Sequence, residues 1–191
     1  MKIVFATNNQ NKVKEVQAQI GGEITVESLK SIDCSEEIPE DSDTIEGNAI
    51  QKAMYVWENY GVNCFADDTG LVINALNGEP GVFSARYAGE QKSSENNMDL
   101  VLSKLEEKHD RSAHFQTTIG LVINGKLEKF TGIAKGEIRK EKSGTEGFGY
   151  DPIFEPEGFN VTFSEMSTEE KNQISHRGKA VKQLIDFLNK I

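Results

Sequence analysis

Cys64-Phe65-Ala66-Asp67-Asp68-Thr69-Gly70-Leu71-Val72-Ile73 is an apolar approach, a pair of carboxylates, a Thr-Gly step and a second apolar run. The flanking stretches, 63–66 and 71–75, read as strands, so Asp67 and Asp68 are expected at a strand end. Adjacent acids there repel each other and lose hydration; they need a cation, a hydrogen-bond donor or a proton held nearby. That cost is commonly tolerated where a divalent metal is handled.

Outward from this run, periodicity sets the fold class. Residues 2–6 read as a first strand, 10–20 as a helix with Val13, Val16 and Ile20 at helical spacing, and 24–29 as a second strand. Asp33 to Asp43 is acidic and turn-rich, and Asp43-Thr44-Ile45-Glu46 makes a helix-start box for a helix over about 44–60. Its Ile45, Ala49, Ile50, Ala53, Met54 and Trp57 form one apolar stripe, with Lys52 off it. Downstream, a helix is expected over about 94–107. A hairpin from Ala113 to Ile123 turns at Asn124-Gly125 and returns through Leu127 to Ile138. Ser167-Thr168-Glu169-Glu170 is a capping box, and Ala180, Val181, Leu184, Ile185 and Leu188 give a closing amphipathic helix. The reading is one α/β domain over residues 1–191 with a mixed sheet, the long hairpin forming a second lobe.

Composition narrows the function. The 191 residues are 37% hydrophobic, enough for a substantial core, and the formal net charge of -10 argues against a nucleic-acid polymer or an anionic membrane as partner. No window approaches 18 consecutive apolar residues, and the apolar start Met1 to Ala6 is too short for a signal peptide, so a soluble, cytoplasmic protein is expected. Cys34 and Cys64 form no CxxC pair, and His109, His114 and His176 lack metal-ligand spacing. Gly120 to Lys126 matches GxxxxGK, but Leu127 replaces the required Ser/Thr and the stretch is a hairpin.

Three other segments carry chemistry. Thr7-Asn8-Asn9-Gln10-Asn11-Lys12 joins strand to helix, where backbone N–H groups and Lys12 can meet an anion or, alternatively, Asn simply caps the helix. Gly147-Phe148-Gly149-Tyr150-Asp151 sets aromatics among glycines: Phe148 offers a stacking face for a base, while Phe154 and Tyr150 read as core. Ser175-His176-Arg177-Gly178-Lys179 opens the last helix with positive side chains where the dipole disfavours them, which points to an anion or acceptor in front of it or, alternatively, to a surface basic cluster answering the acidic remainder; Lys171 can join that cluster. Glu40, Asp67 and Asp68 together can make an oxygen-ligand site for magnesium.

These segments, with Asn48-Ala49-x-x-Lys52-Ala53 and Pro80-Gly81-x-x-Ser84-Ala85-Arg86-Tyr87-Ala88-Gly89, resemble the inosine triphosphate pyrophosphatase family from residue 3 to about 188. The resemblance implies a two-lobed α/β fold, a long mixed β-sheet flanked by helices with a cleft between the lobes, a homodimer and Mg2+ dependence. It implies that Thr7, Asn8, Asn9, Gln10, Asn11 and Lys12 bind substrate phosphates, that Glu40 and Asp68 hold the metal, and that Asp68 is the proton acceptor. Lys52, Thr69, Phe148, Gly149, Tyr150, Asp151, Lys171, His176 and Arg177 are then substrate contacts. Asn8 stands where the family has Gly, and Asn tolerates a left-handed turn.

The implied activity is hydrolysis of non-standard purine nucleoside triphosphates (ITP, dITP, XTP) to the monophosphate and pyrophosphate. Arg177 carries only donors, which suits a 6-keto oxygen and leaves adenine's 6-amino group unpaired. The alternatives are a relaxed or pyrimidine-directed Maf-like pyrophosphatase and a nucleotide-sensing module without hydrolysis.

Overall fold

The computed structural model describes residues 1–20 and 24–191. Among these, six strands form one sheet: β1 (Lys2–Phe5), β2 (Thr25–Ser28), β3 (Cys64–Ile73), β4 (Ser112–Ile123), β5 (Lys126–Ile138) and β6 (Phe154–Pro156), in the order β2-β1-β3-β4-β5-β6. The helices are α1 (Gln10–Gln17), α2 (Ile45–Tyr60), α3 (Ser94–Lys104), α4 (Thr168–Ile174) and α5 (His176–Leu188). β1 pairs in parallel with β2 and β3, and β5 pairs antiparallel with β6, so the sheet is mixed. Asn124 and Gly125 both have positive φ, 50° and 76°, the backbone that lets a two-residue turn follow the twist of its strands.

The acid pair is not at a strand end. The chain runs as a single strand from Cys64 to Ile73, straight through Asp67-Asp68-Thr69-Gly70. β1 pairs with it only at Cys64 and Phe65, so the acids lie beyond the last paired residue of β1, with β4 the neighbouring strand on the other side. Sheet neighbours override the turn tendency of Thr-Gly.

The chain divides into two compact units. Unit 1 comprises Met1–Asp68, Thr117–Gly132 and Arg177–Ile191; unit 2 comprises Thr69–Gln116 and Ile133–His176. The β4–β5 hairpin is thus divided, its tip in unit 1 and its base in unit 2, and does not make a lobe by itself.

Strand alternation gives unit 1 two cores, one on each sheet face. Ile3, Phe5 and Phe65 pack with Val16 of α1 and with Ala180, Val181, Leu184 and Leu188 of α5. Val4, Ala6, Cys64 and Ala66 pack with Ala53 and Val56 of α2. The buried face of α2 is Ile45, Asn48, Ala49, Lys52, Ala53 and Val56, so Lys52 lies on the buried stripe, not off it. Gly120 of β4 lets α2 come this close, since a Cβ there would stand 3.0 Å from the Ala49 carbonyl oxygen and 3.2 Å from Ile50 Cα. Thr44 caps α2 by accepting the Gly47 N–H at 2.9 Å.

Unit 2 has a single aromatic core in which Phe115, Tyr150, Phe154 and Phe163 pack with Leu71, Ile73, Met98 and Val101. Tyr150 and Phe154 are therefore core residues, as their sequence context suggests. Arg111 fastens this unit by donating to the carbonyls of Leu105, Ile138 and Arg139 at 2.6–2.9 Å. Ser167 caps α4 and Glu170 returns the bond to the Ser167 N–H, completing the capping box.

Candidate active site

In unit 1 the alternation of β3 separates the two acids. Asp67 follows Phe65 onto the α1 and α5 face, where Lys12 Nζ lies 3.0 Å and Arg177 Nε 3.2 Å from its carboxylate. Arg177 also pairs through Nη1 with Glu15 of α1. Asp67, Glu15 and Arg177 are all under a tenth exposed. Burial alone would raise the Asp67 carboxyl, but Lys12, Arg177 and Lys52 outweigh it and hold it down at about 2.

Asp68 follows Ala66 onto the α2 face. Asn48 Nδ2 donates to its Oδ2 at 3.2 Å, and Lys52 Nζ stands 3.9 Å from Oδ1. The same ammonium pairs closely with Glu40, so Glu40 and Asp68 converge on one cation. Burial pushes the Asp68 carboxyl up, opposed by Lys52 and Lys12 and reinforced by Glu40 and Asp67. Lys52 is raised: its burial is outweighed by Asp68, Glu40 and Asp67.

The Thr7–Lys12 segment is capped by its own side chains. Thr7 Oγ1 accepts the Asn9 N–H at 3.1 Å, and Asn9 Oδ1 accepts from the Asn11 and Lys12 N–H groups at 3.0 and 3.3 Å. Asn8, Asn9, Gln10 and Asn11 are exposed. Asn8 has no positive φ, so the left-handed turn that its replacement of Gly suggested is not made there.

In unit 2 the carboxylate of Asp151 organises the glycine-rich turn. Its Oδ2 accepts the Phe148 N–H at 2.8 Å and Lys171 Nζ at 2.7 Å, and both Asp151 and Lys171 are buried. Gly147, at φ 76°, leaves the space that this carboxylate occupies. Lys171 Nζ lies 4.9 Å from the centroid of the Phe148 ring, whose side chain is half-buried. Gly149 is also left-handed, at φ 66°, and the Tyr150 hydroxyl donates to the Ser84 carbonyl at 2.7 Å. His176 is buried and stacks on Phe115, with ring centroids 4.5 Å apart. Thr69 is half-buried, next to Asp68 in sequence.

Sequence reading missed Glu15 and the role of Asn48. Lys12 and Glu15 are one helical turn apart, a signal for a shared face, but the Arg177 that meets Glu15 is 162 residues away.

A family model described as the Ham1 family matches residues 3–187. The chain belongs to the Ham1 family. This Ham1 chain is 61% identical to the dITP/XTP pyrophosphatase of Flavobacterium johnsoniae and 58% identical to that of Flavobacterium psychrophilum, each alignment covering 98% of both chains. Among solved structures it is similar to the Staphylococcus aureus Ham1 protein (TM-score 0.92, 39% identity, 100% and 99% covered). A HAM1 protein from Coxiella burnetii is also similar (TM-score 0.93, 38% identity, both fully covered).

Among the described residues of this Ham1 chain no three His, Cys, Asp or Glu side chains form a metal cluster of their own. The donor set of Glu40 and Asp68 nonetheless fits magnesium, which takes one or two carboxylates and completes its shell with phosphate oxygens and water. Both carboxylates already lie about one cation, the Lys52 ammonium. Among the described residues, no helix is long and apolar enough to cross a membrane.

Proposed function

We propose that the chain hydrolyses ITP, dITP and XTP at the bond between the α and β phosphates, releasing the nucleoside monophosphate and pyrophosphate. The observation that carries this reading is the convergence of Glu40 and Asp68 on Lys52, within unit 1, in a chain 61% identical to a protein named dITP/XTP pyrophosphatase.

Roles are assigned unit by unit. In unit 1, Glu40 and Asp68 would hold magnesium, which when bound supplies charge neutralisation on the phosphates and the leaving pyrophosphate. Lys12 and Lys52 neutralise phosphate oxygens, and the Thr7–Lys12 segment offers them its hydroxyl, amides and backbone N–H groups. Asp68 orients the attacking water and accepts its proton as oxygen bonds to the α-phosphorus and the bond to the bridging oxygen breaks. Asp67 takes no part in the proton transfer; it holds Lys12 and Arg177 in place. Arg177, its plane fixed by Asp67 and Glu15, has donors only and so favours a 6-keto purine over adenine.

In unit 2, Phe148 gives a base a stacking face, with Gly149, Tyr150, Asp151, Lys171 and His176 shaping its surroundings and Thr69 adding a hydroxyl. In this reading residues 1–191 act as one pyrophosphatase domain, working in the cytoplasm as a homodimer.

The test is direct. Magnesium and ITP should yield IMP and pyrophosphate; inosine diphosphate and orthophosphate instead would sink the reading. A panel of ITP, XTP, GTP, ATP and dTTP separates it from a relaxed or pyrimidine-directed enzyme.

A further inference from the structure

Asn48 is 4% exposed, and its amide is used at both ends. Oδ1 accepts the Ser42 N–H at 2.9 Å, while Nδ2 donates to Asp68 Oδ2 at 3.2 Å. An amide has one accepting and one donating end, so two partners of opposite demand fix which way it faces.

Ser42 lies two residues after Glu40, on the same loop. That loop is tied to α2 a second time, because the Asp41 N–H donates to Gln51 Oε1 at 2.9 Å and Gln51 Nε2 donates back to Asp41 Oδ2 at 3.4 Å. Gly47 lacks a side chain where Ser42 Oγ fills the space, which keeps the loop against the start of α2. One buried side chain thus joins the backbone of the Glu40 loop to the carboxylate of Asp68. With Oδ2 held by Asn48, Oδ1 is the oxygen that faces Lys52.

We infer that Asn48 is a positioning residue: it sets the placement of Asp68 relative to the Glu40 loop, so that the two carboxylates present a ready-made pair to a divalent cation. The inference rests on the pyrophosphatase reading, in which Glu40 and Asp68 are that pair.

The test uses the full chain, with Mn2+ alone as the probe, titrated by electron paramagnetic resonance, and with ITP turnover measured separately. Asn48→Ala should weaken Mn2+ binding and lower kcat, each by about tenfold, the size expected for one lost hydrogen bond to a charged group. KM for ITP should change far less, because Asn48 is buried and both ends of its amide are engaged by Ser42 and Asp68. Asn48→Asp keeps an acceptor for the Ser42 N–H but sets a second carboxylate against Asp68; that like-charge contact should lower the melting temperature, and kcat per folded molecule should still fall. Wild-type Mn2+ affinity with wild-type kcat in Asn48→Ala overturns the inference. So does a lowered melting temperature with kcat per folded molecule unchanged. If Asn48→Ala does not fold, wild-type kcat in Asn48→Asp overturns it. Absence of pyrophosphate release by the wild-type chain is the separate failure of the pyrophosphatase reading.

Discussion

Asp67 and Asp68, joined by one peptide bond, project to opposite faces of β3 and meet different cations: Asp67 meets Lys12 and Arg177, and Asp68 meets Lys52 and the amide of Asn48. The period of two along a strand does this without any special device. It turns a repulsive pair into two carboxylates with separate partners.

Exchanging each acid for its amide should therefore give unlike phenotypes. Asp68→Asn keeps the fold and abolishes ITP turnover. Asp67→Asn leaves the buried Arg177 and the part-buried Lys12 with one carboxylate fewer, and breaking a buried pair costs about 3–5 kcal/mol. Urea unfolding and initial rates on both variants separate the two; equal loss of stability would count against the division of roles.

Lys52 is the ammonium that Glu40 and Asp68 share, and the proposed metal site there makes a second prediction, about chelation. Wild type treated with EDTA should lose turnover yet keep nearly its full melting temperature. In Lys52→Met Glu40 and Asp68 lose the ammonium they share, so the melting temperature should fall with EDTA and recover when Mg2+ is added, as ligand linkage requires. The same Mg2+ response in both proteins would show that Lys52 does not balance these acids.

The sequence made much of this legible, but unevenly. The α2 start at Thr44, the Asn124-Gly125 hairpin and the Ser167 capping box are local signals written in a few adjacent residues, and all are present. The continuity of β3 is not local, since it rests on a strand placed inside a sheet between β1 and β4, against the turn tendency of Thr69 and Gly70. Lys52 escaped the apolar pattern because a buried ammonium needs acids to neutralise it, and those two, twelve and sixteen residues away, lie outside the helix. Arg177 lies 110 residues from Asp67, beyond the reach of any spacing rule.

Gly120 tests how closely α2 must sit. A Cβ there meets the Ala49 carbonyl and the Ile50 Cα, both backbone, so Gly120→Ala has to displace the helix that carries Asn48 and Lys52. Overpacking of this kind costs about 1–3 kcal/mol. Both the urea midpoint and kcat should fall; a stable variant with full kcat would mean that α2 can shift without disturbing the site.

Burial pushes the Cys64 thiol up to about 12, and its Sγ donates to the Ala53 carbonyl at 3.2 Å. The thiolate is the nucleophile, so native Cys64 should resist iodoacetamide at pH 8 and react only after unfolding. Peptide mass spectrometry reads the site; rapid labelling of Cys64 in the native chain would contradict its burial.

Phe148 separates base stacking from base selection. Its ring is held by the turn that Asp151 organises, with the Lys171 ammonium near its face. Stacking on an aromatic is worth about 1–3 kcal/mol per base and does not depend on which base is stacked. Phe148→Ala should therefore raise KM about tenfold or more for ITP and XTP alike, leaving their ratio unchanged. Discrimination against ATP should survive in this variant, because the 6-keto preference is assigned to the donors of Arg177. Steady-state rates with the three nucleotides decide it, and a Phe148→Ala enzyme that accepts ATP as readily as ITP would move base selection from Arg177 to the aromatic turn.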